Sequence, residues 1–165
     1  MNIKHIAFGV IAAVALCSCQ RATVYNGSAL TETYPKEQAE VESTLRAVLG
    51  SAEAKDLAAV DSYHLYGPKF TKFDDWEPLT RQDAAAARKG ESEGLTAATS
   101  FKANVEDLKV DVFGNVAIAT FVLNYTIESA GTATATRARS TVAFARDETG
   151  WKIIHEHHSA FKSNP

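Results

Sequence analysis

Gly150-Trp151-Lys152-Ile153-Ile154-His155-Glu156-His157-His158-Ser159 decides the fold. It follows the turn-forming run Asp147-Glu148-Thr149-Gly150 and holds no internal Gly or Pro, so a strand is predicted over residues 151–159. Alternation at period two places Trp151, Ile153, His155 and His157 on one face and Lys152, Ile154, Glu156 and His158 on the other. On that spacing the His155 and His157 side chains stand about 6.6 Å apart along the strand. Glu156 then points away from both, so His-Glu-His here is not a fragment of a helical zinc motif.

Three more strands lie immediately upstream. Residues 101–113 carry Val105, Leu108, Val110 and Val112, the last three alternating with Lys109 and Asp111. Gly114-Asn115 is a turn. Residues 116–128 are β-branched and aromatic on both faces, which reads as a central, well-covered strand. Gly131 interrupts, and the Thr-rich segment 132–146 alternates weakly. Long consecutive strands joined by short turns form an antiparallel meander. Upstream of Gly94 the period changes to that of a helix. Val41, Leu45, Val48 and Leu49 make one apolar stripe on a helix over 36–49, with Gly50 as its stop. A shorter helix follows over 56–64 with Leu57, Val60 and Tyr63, then an aromatic loop over 65–79. Thr80-Arg81-Gln82-Asp83 resembles a helix start with an acid at the third position, ahead of a short helix at 84–87. Helices first and strands second predict an α+β fold, not a parallel doubly wound sheet.

The chain has 165 residues, 45% hydrophobic and 22% charged, which suits one globular domain. A net charge of -3 argues against a nucleic-acid binder acting by phosphate neutralisation. The only cysteines, Cys17 and Cys19, exclude a disulfide scaffold and a Cys-based zinc site. Lys4 followed by the apolar run 6–16 has the form of a secretory signal and is too short to span a bilayer. It ends in Leu16-Cys17-Ser18-Cys19, which resembles the lipobox of bacterial lipoproteins. That resemblance implies cleavage after Ser18, lipidation of Cys19 with palmitate-type chains, and a stable membrane anchor, since two or more acyl chains hold where one does not. Gln20 stands where an inner-membrane retention signal would place Asp, which favours an outer-membrane location facing the periplasm. The expected organisation is a signal peptide over 1–18, a polar tether over 19–35, a domain over 36–160 and a tail over 161–165.

The terminal strand, with its Gly-Trp-Lys-Ile start and His-x-His-x-Ser end, resembles the SnoaL-like branch of the nuclear-transport-factor-2-like superfamily. The order of the upstream segments agrees: a helix pair, the loop Tyr66-Gly67-Pro68-Lys69-Phe70, a helix, and a meander with Arg139-x-Thr141 before Phe144-x-Arg146. The association domain of calmodulin-dependent kinase II ends similarly. The resemblance covers residues 37–159. It implies a cone, with a curved antiparallel sheet packed on N-terminal helices (a cystatin-like roll) and a pocket between the layers. It also implies a homodimer formed through the outer sheet face. Fold alone does not choose an activity.

Within such a cone the candidate ligand-binding residues are Tyr66, Phe70, Trp76, Tyr125, Arg139, His155 and His157. Arg139 in a pocket would anchor an anionic ligand, and on the sheet exterior it would be a solvated cation. His155 and His157 are either pocket polar groups or structural; a two-His metal site lacks a third ligand of recognisable spacing, so no metal or cofactor is expected. Asp74 or Asp75 with Tyr66 or Tyr125 supplies the types of an isomerase base and acid, or Asp74-Asp75 is a solvated turn. No catalytic residue is assigned. The leading expectation is a lipid-anchored protein that binds a small, partly apolar molecule. The alternatives are an acid/base enzyme (isomerase, dehydratase or hydrolase) using a pocket histidine, and a dimeric interaction module with a vestigial pocket.

Overall fold

The computed structural model describes residues 30–162. The segments expected to form a signal peptide and most of the expected tether, with Cys19, and the last three residues lie outside them. No helix among the described residues is long and apolar enough to cross a membrane.

Helix α1 (Pro35–Glu53) starts on a proline and buries Val41, Leu45 and Val48, the stripe read from the sequence. Helix α2 (Leu57–Tyr63) is capped by Asp56, whose Oδ1 accepts from the Ala59 N–H at 3.0 Å. Strand β1 (Thr71–Phe73) lies within the aromatic loop. Helix α3 (Ala84–Ala97) is capped by Asp83 itself, with Oδ1 accepting from the Ala86 N–H at 2.9 Å. It runs fourteen residues through Gly90 and Gly94 and is therefore longer than the short helix expected. Strands β2 (Ser100–Phe113), β3 (Val116–Ser129), β4 (Thr132–Asp147) and β5 (Gly150–Ala160) make the antiparallel meander.

The sheet order is β1-β5-β4-β3-β2. The short β1 pairs parallel to β5, so the sheet is mixed at one edge and not antiparallel throughout. The helices cover its concave face. Gln38 Nε2 donates to the Val110 carbonyl at 2.8 Å and Trp151 Nε1 to Glu40 Oε2 at 3.3 Å, tying α1 to both flanks of the sheet. Phe144, Val142 and Ile153 are fully buried between the layers, each worth roughly 1.5–3 kcal/mol of transfer free energy. Tyr34, just before α1, is buried in the same core. Among the described residues no layer covers the outer face: Val116 and Ile118 on β3 are exposed.

Two irregularities bend the sheet. One falls in β2 between Glu106 and Lys109, where Asp107 has φ 51°. The other falls between β4 and β5: Ala143 faces His155 and Phe144 faces Ile153, so Ile154 is an extra residue with no partner. This bulge corrects the alternation read from the sequence. Trp151 and Ile153 point inward as expected, but beyond Ile154 the parity inverts. Glu156 is buried against the helices, and His155 and His157 turn to the outer face.

Candidate functional site

A cavity of about 140 Å3 lies between the concave face of the sheet and the helices. Its walls are apolar: Leu45, Val48, Leu49 and Ala52 from α1, Leu95 from α3, and Phe101, Phe121, Leu123 and Ile127 from β2 and β3. Trp76 lines it while remaining 42% exposed, and so marks the mouth. The Trp76 indole meets the Tyr125 ring edge-on, with centroids 6.0 Å apart.

Other lining residues are charged. Lys72 of β1 pairs in register with Glu156 of β5, which turns both side chains inward. Lys72 Nζ lies 2.8 Å from Glu91 Oε1, 3.3 Å from Asp74 Oδ2 and 3.3 Å from Glu156 Oε2. Glu91 sits on α3 in the inward stripe Ala84, Ala87, Glu91, Leu95, and its Oε2 accepts from the Tyr66 hydroxyl at 2.6 Å. His64, just after α2, places Nδ1 2.8 Å from the Val60 carbonyl and Nε2 3.6 Å from Glu156 Oε2. A carbonyl only accepts, so Nδ1 carries a proton and Nε2 is the free nitrogen of the ring. His158 stands 3.9 Å from Glu156 Oε1 and shares a 2.9 Å hydrogen bond with Ser140 Oγ.

The electrostatics follow from this packing. Burial works against the Lys72 ammonium, but Glu156, Glu91 and Asp74 outweigh it and hold the group well above the usual lysine range. Burial likewise opposes the Glu156 carboxylate, and Lys72, His158 and His64 hold it well below the usual range. For His64 burial is the largest single influence and lowers the pKa, yet Glu156, Glu91 and the Val60 carbonyl together raise it. Tyr66 is pushed up by burial and by Glu91. Asp75 is raised by burial, against the hydrogen bonds of 3.0 and 3.1 Å that the Tyr125 hydroxyl offers its two oxygens. Of the three buried side-chain atoms with no hydrogen bond among the described residues, Asn124 Nδ2 lies away from this cluster, and His64 Nε2 and Glu156 Oε2 belong to it. The Glu156 atom is within ion-pair distance of Lys72 but not in hydrogen-bonding geometry.

Of the residues expected to bind ligand, Trp76 and Tyr125 line the cavity. Tyr66 and Phe70 instead brace the floor: the Tyr66 ring stacks on His64 at 4.9 Å and 6°, and Phe70, fully buried, packs edge-on against both rings. Arg139, His155 and His157 are not in the cavity. The bulge at Ile154 turns the two histidines outward, where His155 bonds Thr71 Oγ1 at 2.8 Å and His157 lies beside Phe73. Arg139 is on the outer face, its guanidinium 4.2 Å over the Phe161 ring. Asp74, one of the two weighed as a solvated turn, is buried.

Sequence reading missed His64, Lys72, Glu91, Glu156 and His158. Two signals were present. Lys72 sits two residues from Phe70 and from Asp74, at strand spacing, and Glu91 interrupts an apolar helical stripe. His64 Nε2 and carboxylate oxygens of Glu91 and Glu156 lie within 4.8 Å of one another, a donor set of metal-binding type. The Lys72 ammonium already supplies a cation at those carboxylates.

This architecture, a curved sheet closed over helices around a cavity, has counterparts. The family model described as a SnoaL-like domain matches residues 41–163. The chain belongs to the SnoaL-like family. A search of curated proteins finds no match. Among solved structures, a candidate dehydratase of the nuclear-transport-factor-2-like family from Streptomyces avermitilis superposes with TM-score 0.70 at 17% identity, covering 79% of this chain and 100% of that one. A candidate aromatic ring hydroxylase from Novosphingobium aromaticivorans gives TM-score 0.71 at 15% identity, covering 80% and 94%. The hub domain of calcium/calmodulin-dependent kinase II from S. rosetta gives 0.64 at 21%, covering 79% and 99%. At these identities the likeness is one of fold.

Proposed function

We propose that the protein binds a small, partly apolar molecule in this cavity. The observation that carries the reading is the join of an apolar chamber to charged lining residues, Lys72, Asp74, Glu91 and Glu156, the combination that favours a ligand with an apolar body and one polar end. The test is a two-dimensional NMR titration with toluene. Shift changes at Leu49, Phe101 and Leu123 are expected; changes confined to Ile118 and Val122 on the outer face, or no saturable change at millimolar toluene, would overturn it.

A second reading, acid/base catalysis, rests on His64 beside Glu156 at the end of an apolar cavity. It moves the candidate base from His155 or His157 to His64. The candidate dehydratase and hydroxylase of like fold are consistent with it.

Two further features complete the proposal. The exposed outer face, with Val116 and Ile118, would pair two copies of the chain, as the likeness to a hub domain suggests. Lipidation at Cys19 would anchor the domain to the bacterial envelope, at the outer membrane facing the periplasm; substituting Cys19 by Ala should move the protein from the membrane to the soluble fraction.

A further inference from the structure

Resting on the ligand-binding reading above, we propose that residues 75–81 form a lid on the cavity, with Trp76 as its gating side chain and the Asp75–Tyr125 hydrogen bonds as its latch. The segment leaves and re-enters the domain at one narrow base. There the Lys72 N–H donates to the Gln82 carbonyl at 3.1 Å, and the Gln82 N–H to the Lys72 carbonyl at 2.8 Å. Lys72, Asp74 and Gln82 are all buried, and Asp74 Oδ2 lies 3.3 Å from Lys72 Nζ. The chain is therefore fixed up to Asp74 and again at Gln82, and the residues between turn about that base while the rest of the fold stays in place.

What holds this segment against the domain converges on one residue. The Tyr125 hydroxyl donates to Asp75 Oδ1 and Oδ2 at 3.0 and 3.1 Å, and the Tyr125 ring meets the Trp76 indole edge-on. Residues 77–81 are exposed, and the side-chain hydrogen bond among them, from the Leu79 N–H to Glu77 Oε2 at 3.3 Å, is local. With Trp76 partly exposed and Leu79 63% exposed, apolar burial closes the segment only in part, and the charge-assisted bonds to Asp75 supply the rest. A segment secured this way opens locally at far less cost than unfolding the domain. Trp76 lines the cavity from the lid, whereas Tyr125 lines it from β3 and is itself buried. Swinging the lid outward thus breaks contacts at one side chain of the sheet, withdraws the indole and uncovers the chamber, while Phe144, Val142 and Ile153 stay packed. Asp75 is a positioning residue: it holds the lid shut and does not itself line the cavity.

The test uses the intact protein with its two tryptophans, Trp76 and Trp151, labelled as fluorotryptophan and the resonances assigned with Trp76→Phe. Fluorine relaxation dispersion without ligand is expected to show exchange at Trp76 and none at Trp151, which is buried in the core. In Asp75→Ala the open population at Trp76 should rise at least about tenfold, the factor that loss of a hydrogen bond to a charged group implies. Asp75→Asn, whose amide oxygen still accepts from the Tyr125 hydroxyl, should fall between wild type and the alanine variant. Release of toluene, followed by magnetisation exchange, should quicken in step with the open population. A Trp76 signal free of exchange in wild type and Asp75→Ala alike would overturn the lid, as would an open population unmoved by Asp75→Ala. Toluene release unchanged while that population rises would overturn the gating. Exchange appearing equally at Trp151 would assign the motion to loosening of the whole domain and refute the lid as well. Toluene failing to bind would overturn the ligand reading alone, because the fluorine measurement without ligand decides the lid by itself.

Discussion

Replacing Lys72 by Met removes the one ammonium from among Asp74, Glu91 and Glu156 while keeping most of the side chain's volume. Lys72 Nζ lies within 3.3 Å of an oxygen of each, and Lys72, Asp74 and Glu156 are buried. Breaking a buried ion pair by deleting one partner costs about 3–5 kcal/mol, because the orphaned charge stays buried. For a domain of this size that is a fall in Tm of roughly 10–20 °C. The pH dependence is the sharper test. Glu156 is held below its ordinary 4.5, so its contribution is present above that value and is lost as pH falls through the folded pKa. Without Lys72 the carboxylates take up protons more readily on folding, so the variant's deficit should shrink steadily from pH 7 to pH 4. Thermal and urea unfolding followed by circular dichroism, in matched salt, read both effects. A deficit below about 1 kcal/mol at pH 7, the value of a surface pair, would refute the buried-network account. So would a deficit that does not change with pH.

The raised pKa of His64 adds stability that is complete below 6.5 and is lost as pH rises through the folded value. Wild-type stability should therefore decline between pH 6.5 and the folded value, and His64→Gln should flatten that decline, as urea midpoints across the range will show. Asp75, raised chiefly by burial, opposes folding once ionised. Asp75→Asn should raise the Tm at pH 7 and lose that advantage in acid, where the native carboxyl is protonated. Deleting Ile154 removes the bulge and leaves Ile153 inward and His155 and His157 outward, matching the alternation of Phe144 and Ala143; a cooperative melt should survive, and loss of the fold would contradict the register assigned here. Phe144→Ala should cost about 3–5 kcal/mol, whereas His157→Ala on the outer face should stay within about 0.5 kcal/mol, both by urea unfolding.

Periodicity made most of the fold legible. The stripe Val41, Leu45, Val48 and the alternation in β2 and β3 are repeated over many residues, so each element carries its own redundant signal. Strand β1 carries none: three residues show no period, and Thr71–Phe73 is a strand only because β5 lies beside it. Helix α3 escaped for a related reason, since Gly90 and Gly94 break its propensity while its packing against the rest of the domain does not depend on them.

By itself, then, the amino-acid order determined the α+β class, the succession of helices and meander, and the side of each regular element that meets the core. These are local properties, written in spacing that any window of ten residues displays. Only the tertiary structure decided the site. One unpaired residue, Ile154, exchanges the faces of everything after it in β5, and no composition signal marks the exchange. Lys72, Glu91 and Glu156 come from three elements far apart in the chain. None is recognisable as buried until its partners are beside it, because only their mutual charge makes burying any of them tolerable.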